Sequence, residues 1–391
     1  MNRNVRIMLG VSILFGLSIG IYDFLLPFYL DEVGISFAYM GAIFSMAALV
    51  MFVLRVYVGH LSDRIGRKVF YALAILGCSV ANFLTPFFGA LWAQTALKSL
   101  RESSAVVKET MHTVALYENA KNRFTDFIAR TNGAEILFQG IGTFVGGALL
   151  VAVGFRVSFF LSALLLMGTF LWFMTCYDER NTRTEPGEAT SLRDLWLFEL
   201  PVELRILALS GFVFTVGLST SHCFVMPLFF AKKFLVSAPI VAAILTLHRV
   251  FLGFPMLFTG RWVRGNLKAL YIGFVIYEGV AMSVSALIPD FLPATVVWLT
   301  HDLVGASVWF PIQRTLIQRF ARPEARGRQV GQVLAISSLG WVFGPLIAGF
   351  VAHESISAPF FLSGLLMIVS ALTLLPLRAE REIPMVQESQ I

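Results

Sequence analysis

Ionisable side chains stand inside apolar stretches at Asp23, Lys98, Arg101, Glu102, Glu135, Arg249, Glu278 and Asp302, with His248 and His301 beside two of them. Within a hydrocarbon layer each such group costs several kcal/mol and needs a partner or a task. At 1.5 Å per residue, Arg101 falls about 15 Å into its run, near the middle of a core about 30 Å thick. Glu135, Arg249, Glu278 and Asp302 fall at similar depth, and Asp23 about 10 Å below one surface. Two kinds of chemistry suit these groups. A carboxylate can take up and release a proton, and Asp23 and Asp302 are the candidates. Guanidinium and ammonium groups can hold a carboxylate or phosphate, which points to Arg101, Lys98 and Arg249. Tyr22, Glu102, Glu135 and His301 complete the candidate lining of a central polar cavity.

The elements that position these residues are membrane spans. Of 391 residues, 57% are hydrophobic and 14% charged, with a mean hydropathy of +0.77. A soluble chain would carry nearly twice that charge. Apolar runs of about 20 residues occur near 7–30, 37–60, 69–90, 91–116, 125–152, 156–177, 205–230, 238–260, 269–289, 293–318, 328–352 and 357–377. This predicts an all-α polytopic membrane protein with twelve transmembrane helices. The long polar stretch between spans six and seven divides it into residues 1–177, a linker at 178–204 and residues 205–391. Within the linker, 192–200 has the pattern of a short amphipathic surface helix. The first run is too long for a signal-peptide core and counts as a span.

Charge placement sets the expected orientation. Of thirty Lys and Arg, only Arg156, Lys232 and Lys233 fall in loops on one side, seven lie inside apolar runs, and twenty lie on the other side. That asymmetry places both termini in the cytoplasm. It also accounts for the pI near 9.3 without a nucleic-acid partner. Cys78, Cys176 and Cys223 sit singly, and no spacing suggests a disulfide framework or a metal site. No Walker A or H-E-x-x-H sequence is present, so ATP-driven or zinc-hydrolase chemistry has no anchor. No cofactor is expected.

The two groups of spans repeat one another. Pro27 and Pro227 are 200 residues apart, and Gly59 and Gly260 end spans two and eight. Phe159-Phe160-Leu161-Ser162 recurs as Phe360-Phe361-Leu362-Ser363. Repeated halves are a common plan of secondary transporters, with the binding site at the midplane between them. Small-residue faces (Gly16-x-x-x-Gly20, Gly142-x-x-x-Gly146 and Gly340-x-x-x-Gly344) predict close helix contacts. In span four, Lys98, Arg101, Ala105, Lys108 and His112 share one face. Lys108, Glu109 and His112 lie near enough to the interface for snorkelling. His222 reads as a hydrogen-bonded helix-contact histidine. Glu278 has no partner assignable from the sequence.

Between spans two and three stands Gly59-His60-Leu61-Ser62-Asp63-Arg64-Ile65-Gly66-Arg67-Lys68, read as a polar hinge with Gly66 in a tight turn. It resembles the G-x-L-x-D-R-x-G-R-K signature of the major facilitator superfamily at every defined position. The resemblance implies two pseudo-symmetric six-helix bundles that rock about a central site. It makes Gly59, Leu61, Asp63, Arg64, Gly66, Arg67 and Lys68 a cytoplasmic gate. Charge logic adds that Asp63 accepts from the N-terminal end of span eleven and that Arg67 pairs with Glu118. Arg101 matches the superfamily's span-four arginine, with Ser104 where a glycine often follows. Span five has Gly146-Gly147 where the drug–proton antiporters have Gly-Pro. The expected function is proton-coupled export of small amphipathic organic compounds by a monomer in the cell membrane. The alternatives are an organic-anion carrier centred on Arg101 and Arg249, and a non-transporting receptor or assembly subunit.

The cation asymmetry makes a direct prediction. In a functional background without native cysteines, a cysteine at position 35 should react with a membrane-impermeant reagent added outside cells, and one at position 65 should not. The reverse pattern would invert the assigned topology.

Overall fold

The computed structural model describes residues 3–65, 67–120, 124–179, 200–262, 265–322 and 326–378, with side chains for all of these except 55–65, 124–126, 129, 256–262 and 326–328. The described chain is helical and crosses the membrane twelve times. Helices α1 (Arg3–Glu32), α2 (Phe37–Ile65), α3 (Arg67–Leu84) and α4 (Leu91–Ala120) are followed by the run Phe124–Cys176. That run is two crossings, α5 (124–153) and α6 (155–176). Gly154, at φ 75°, breaks it. Leu17 then lies against Gly142 while neighbouring Ser18 bonds Ser162 Oγ at 2.8 Å, so the chain has doubled back.

The second group begins with α7, in two pieces (Val202–His222 and Val225–Phe234), then α8 (Ala238–Trp262) and α9 (Leu267–Leu287). Helix α10 joins Phe291–Thr300 and Ser307–Phe320 through a π-helical turn at His301–Ala306. Helix α11 comprises Arg326–Ser338 and Gly340–Glu354, and α12 is Ala358–Leu372. Nine described helices qualify as spans on length and composition alone. Charges remove α4 from that set, a length of 15 residues removes α12, and α5 with α6 is counted once. Helix α7 starts at Val202, three residues before the predicted span, and the linker falls largely on residues outside those described.

Small residues bring the helices together. A Cβ on Gly20 would collide with the backbone of Gln139 and come within 2.7 Å of Thr143 N. In the second half, Gly340 and Gly344 press on Thr215, Val216 and Ser219 of α7. Thus α1–α5 and α7–α11 are equivalent contacts, built from glycine faces in which dispersion and weak polar contacts replace the absent hydrophobic driving force. The repeated serines also do the same job: Ser162 bonds Ser18 of α1, and Ser363 bonds Ser221 of α7 at 2.9 Å.

The polar hinge between α2 and α3 is not a loop. Helix α2 continues through the motif to Ile65 and α3 resumes at Arg67, leaving a single residue between them. The side chains of Gly59, Leu61, Asp63 and Arg64, and Gly66 as a whole, lie outside the described residues. The start of α3 is tied to α6 instead. Glu179 Oε1 accepts from the backbone N–H groups of Arg67 (2.8 Å) and Lys68 (3.0 Å), meeting two of the helix's free donors with a charged acceptor. Lys68 Nζ donates to Tyr177 O at 2.7 Å, and 200 residues on Lys268 Nζ donates to Leu375 O at 2.7 Å and to Leu377 O. Arg67 forms an ion pair with Glu118.

The halves meet along α2–α11 and α5–α8. Gly41 lies against Pro345 and Gly349, Ser45 Oγ donates to Val342 O, and Thr246 Oγ1 donates to Gly140 O at 3.0 Å. Lys232 and Asp31 pair across the halves at 2.7 Å. The halves are therefore closed at the end that carries the 33–36 loop.

Gly20→Leu should destabilise the protein by about 1–3 kcal/mol, because the backbones of α1 and α5 must part. Gly168→Ala, where an added Cβ would meet nothing within 4 Å, should change stability by less than about 1 kcal/mol. Thermal unfolding in detergent would check both. Equal losses would mean that glycine contacts do not set the helix spacing.

Candidate functional site

A cavity of about 330 Å³ lies between the halves. Asp23, Lys98, Glu102 and Gln139 supply its polar wall on one side, and His222, His248 and Arg249 on the other. Phe44, Met51, Met226 and Trp341 are among its apolar lining. Breaks in helical regularity shape it. Pro27 and Pro227 each lack the N–H that would bond the carbonyl four residues earlier, on Asp23 and Cys223, and both prolines line the cavity. In α7 the helix stops at His222 and restarts at Val225.

On the first half, α4 presents the predicted face inward: Lys98, Arg101, Lys108 and His112 are all buried. Arg101 Nη1 lies 3.0 Å from Asp23 Oδ1 and 2.8 Å from Glu102 Oε1. The contact to Asp23 is a charge contact rather than an aligned hydrogen bond, whereas Glu102 accepts directly. Lys98 Nζ donates to Glu102 at 2.7 Å and sits 4.6 Å from the centre of the Phe44 ring. The guanidinium of Arg101 covers Tyr22 at 4.1 Å, and the Tyr22 hydroxyl meets Thr85 Oγ1 at 3.4 Å. Two cations and two acids thus neutralise one another across α1 and α4, as burial requires.

Several expected positions move. Arg101 and Tyr22 stand behind the cavity wall, while Lys98 and Glu102 form it. Glu135 is also off the cavity and pairs with Lys108. Lys108 and His112 do not snorkel: both are buried, Lys108 by that ion pair and His112 by a 2.7 Å hydrogen bond to Tyr71. Glu278 gains a partner, since the buried indole Nε1 of Trp309 donates to its Oε2.

On the second half, His222, His248, Trp298 and His301 pack ring against ring, with centroids 4.9–6.3 Å apart. His248 Nδ1 donates to Asp302, which also lies 3.6 Å from His301 Nε2. His301 and Asp302 open the π-helical turn of α10, a local widening often found at functional sites. His301 and Asp302 are buried behind His222 and His248. Sequence spacing within any one span does not assemble this cluster. A signal was available, because His222, Trp298, His301 and Asp302 lie 200 residues after Tyr22, Lys98, Arg101 and Glu102. In one repeated constellation the carboxylate is kept (Glu102, Asp302), while the lysine and arginine of the first half give way to tryptophan and histidine in the second.

Two repeated helical bundles around a central cavity that carries charged groups on an otherwise apolar wall define a membrane transporter rather than an enzyme. The model of the Major Facilitator Superfamily matches residues 8–299. The chain belongs to that superfamily and is a multi-pass cell-membrane protein that takes a small-molecule substrate. It is 23% identical to a class B tetracycline resistance protein of Escherichia coli, covering 91% of this chain and 90% of that one. It is also 23% identical to the quinolone resistance protein NorA of Staphylococcus aureus strain COL, over 93% of each. Among solved structures, a point mutant of the nucleoside transporter NupG superposes with a TM-score of 0.79 at 14% identity, covering 95% of this chain and 99% of that one.

Arg101→Ala would strand two carboxylates beside one lysine and should cost about 3 kcal/mol. Adding Asp23→Asn should recover part of that loss by removing one stranded charge. Thermal unfolding of the single and double variants decides. No recovery in the double variant would mean that Asp23 and Arg101 are not coupled.

Proposed function

We propose that this protein exports small amphipathic organic compounds, cationic or zwitterionic, in exchange for protons, with Asp23 as the exchanging group. The observation that carries the reading is the placement of Asp23. Its side chain is 38% exposed at the wall of a largely apolar cavity while one oxygen contacts Arg101. A substrate cation entering the cavity would compete with Arg101 for that carboxylate, and a proton would compete with both. Substrate and proton then exclude one another at a single site, which yields exchange without further machinery. The groups facing Asp23 are Arg101, Lys98 and Glu102 from α4, Gln139 from α5, and His222, His248 and Arg249 from across the cavity. The likeness to tetracycline and quinolone resistance proteins supports a drug-like organic substrate.

In this reading the termini and the 59–68 motif face the cytoplasm, following the cation asymmetry. The closed 33–36 end then faces outward, so the cavity is arranged to load from inside. Arg67 with Glu118, and Asp63 within the motif, act as the cytoplasmic gate. Residues 1–177 and 205–391 are the moving halves, joined by the linker. Asp302, held by His248 and His301, orients the second half of the site. The organic-anion alternative is disfavoured because Arg101 is already engaged by Glu102 and Asp23 and stands behind the wall, while Arg249 lines the cavity.

Flux in proteoliposomes tests this, with ethidium as the probe and an imposed pH gradient, normalised to folded protein. Wild type should accumulate ethidium against its gradient. Asp23→Asn should lower pH-driven accumulation at least tenfold while sparing counterflow between ethidium pools. Flux indifferent to pH would overturn proton exchange. Flux of an anionic probe such as fluorescein that survives Asp23→Asn but vanishes in Arg101→Ala, with no ethidium flux, would favour the anion carrier.

A further inference from the structure

We propose that His222, His248 and His301 form a site for one divalent transition cation of the zinc type, with its open coordination position facing the central cavity. The three rings come from three different helices, so no sequence spacing announces them. One nitrogen from each lies within 4.8 Å of the others. The Nε2 atoms of His222 and His301 are 3.2 Å apart. Tetrahedral ligands at 2.0–2.1 Å from a zinc ion stand about 3.3 Å from one another, so this pair is already near a coordinating separation.

The hydrogen bonds around the rings are the stronger argument. Metal-binding imidazoles have the second ring nitrogen fixed by an outer acceptor, which sets the tautomer and aims the lone pair. Two of the rings meet that condition, and the third has a serine hydroxyl at its Nδ1. His248 Nδ1 donates to the Asp302 carboxylate, and His301 Nδ1 donates to the Trp298 carbonyl. His222 Nδ1 is 2.8 Å from Ser221 Oγ. With Nδ1 so engaged, Nε2 is the nitrogen each ring has left for a metal ion, which would replace the contact between the Nε2 atoms of His222 and His301. Trp298 packs against all three rings and holds their planes.

Access and charge complete the case. His222 and His248 line the cavity, while His301 is buried behind them, so an ion reaches the site from the cavity and leaves one position toward it. Asp302 is the acid in contact, and Arg249 adjoins the site. That balance disfavours hard cations held mainly by charge and favours metals that bond well to imidazole, such as zinc, cobalt and nickel. The site goes beyond the transport reading and is measured without any gradient or flux.

The test uses the full chain purified in detergent, titrated with Co²⁺ and followed by its visible absorption. One Co²⁺ per chain should bind with the intense bands of four-coordinate geometry, and be displaced by Zn²⁺ but not by Mg²⁺. His222→Gln and His301→Gln should each weaken binding at least tenfold. Asp302→Asn should weaken it about 10–100-fold with unchanged stoichiometry, as expected for an outer partner. His353→Gln, at an exposed position near the end of α11, should leave binding intact. Thermal unfolding without metal checks each variant. If the buried His301 variant fails to fold, His222→Gln at the cavity wall decides. A six-coordinate spectrum, or affinity unchanged in His222→Gln, would overturn the site.

Discussion

A charge inside hydrocarbon must be neutralised where it stands, and this constraint organises the interior. Arg101 is held by Glu102 and Asp23, Lys98 by Glu102, Lys108 by Glu135, and Asp302 by His248. Pairs of this kind add little stability over an apolar core, because desolvation offsets much of their attraction. Their consequence is specificity: the pairs that join two helices, Arg101–Asp23, Lys108–Glu135 and His248–Asp302, each fix one helix against another at a defined height. Removing a partner is costly, while exchanging one for a proton or a bound ligand is not. A cavity walled by such pairs is therefore stable at rest and sensitive to whatever enters it.

The internal repeat distributes this constraint unequally. Both halves use the same glycine contacts, the same serine bridges and the same lysine ties at the motif end. At the site they diverge. The first half places Tyr22, Lys98, Arg101 and Glu102 where the second places His222, Trp298, His301 and Asp302. The scaffold is thus common, and the chemistry is assigned half by half. The ion pair and glycine contacts that close the 33–36 end belong to the interface between halves, where small rigid-body shifts can open one end as the other closes.

Much of the architecture was legible in the sequence because its signals are local. Apolar runs of the right length specify crossings, small residues four apart specify close packing, and an offset of 200 shows the duplication. The 59–68 motif carried the family. The same local logic misread that motif as a hinge, since polar residues and two glycines suggest a loop, whereas α2 stays helical to Ile65.

Local patterns along the chain establish the class of protein, the number of crossings, and which charges lie too deep to be accidental. The tertiary structure decided how those charges pair and which of them face the cavity. It set Arg101 behind the wall and Lys98 in it, gave Glu278 its indole donor, and brought three histidines from α7, α8 and α10 to one point. The physical reason is that depth along a helix follows from counting residues, but neighbours across helices depend on rotation and crossing angle. Those are set by side-chain packing between segments tens to hundreds of residues apart.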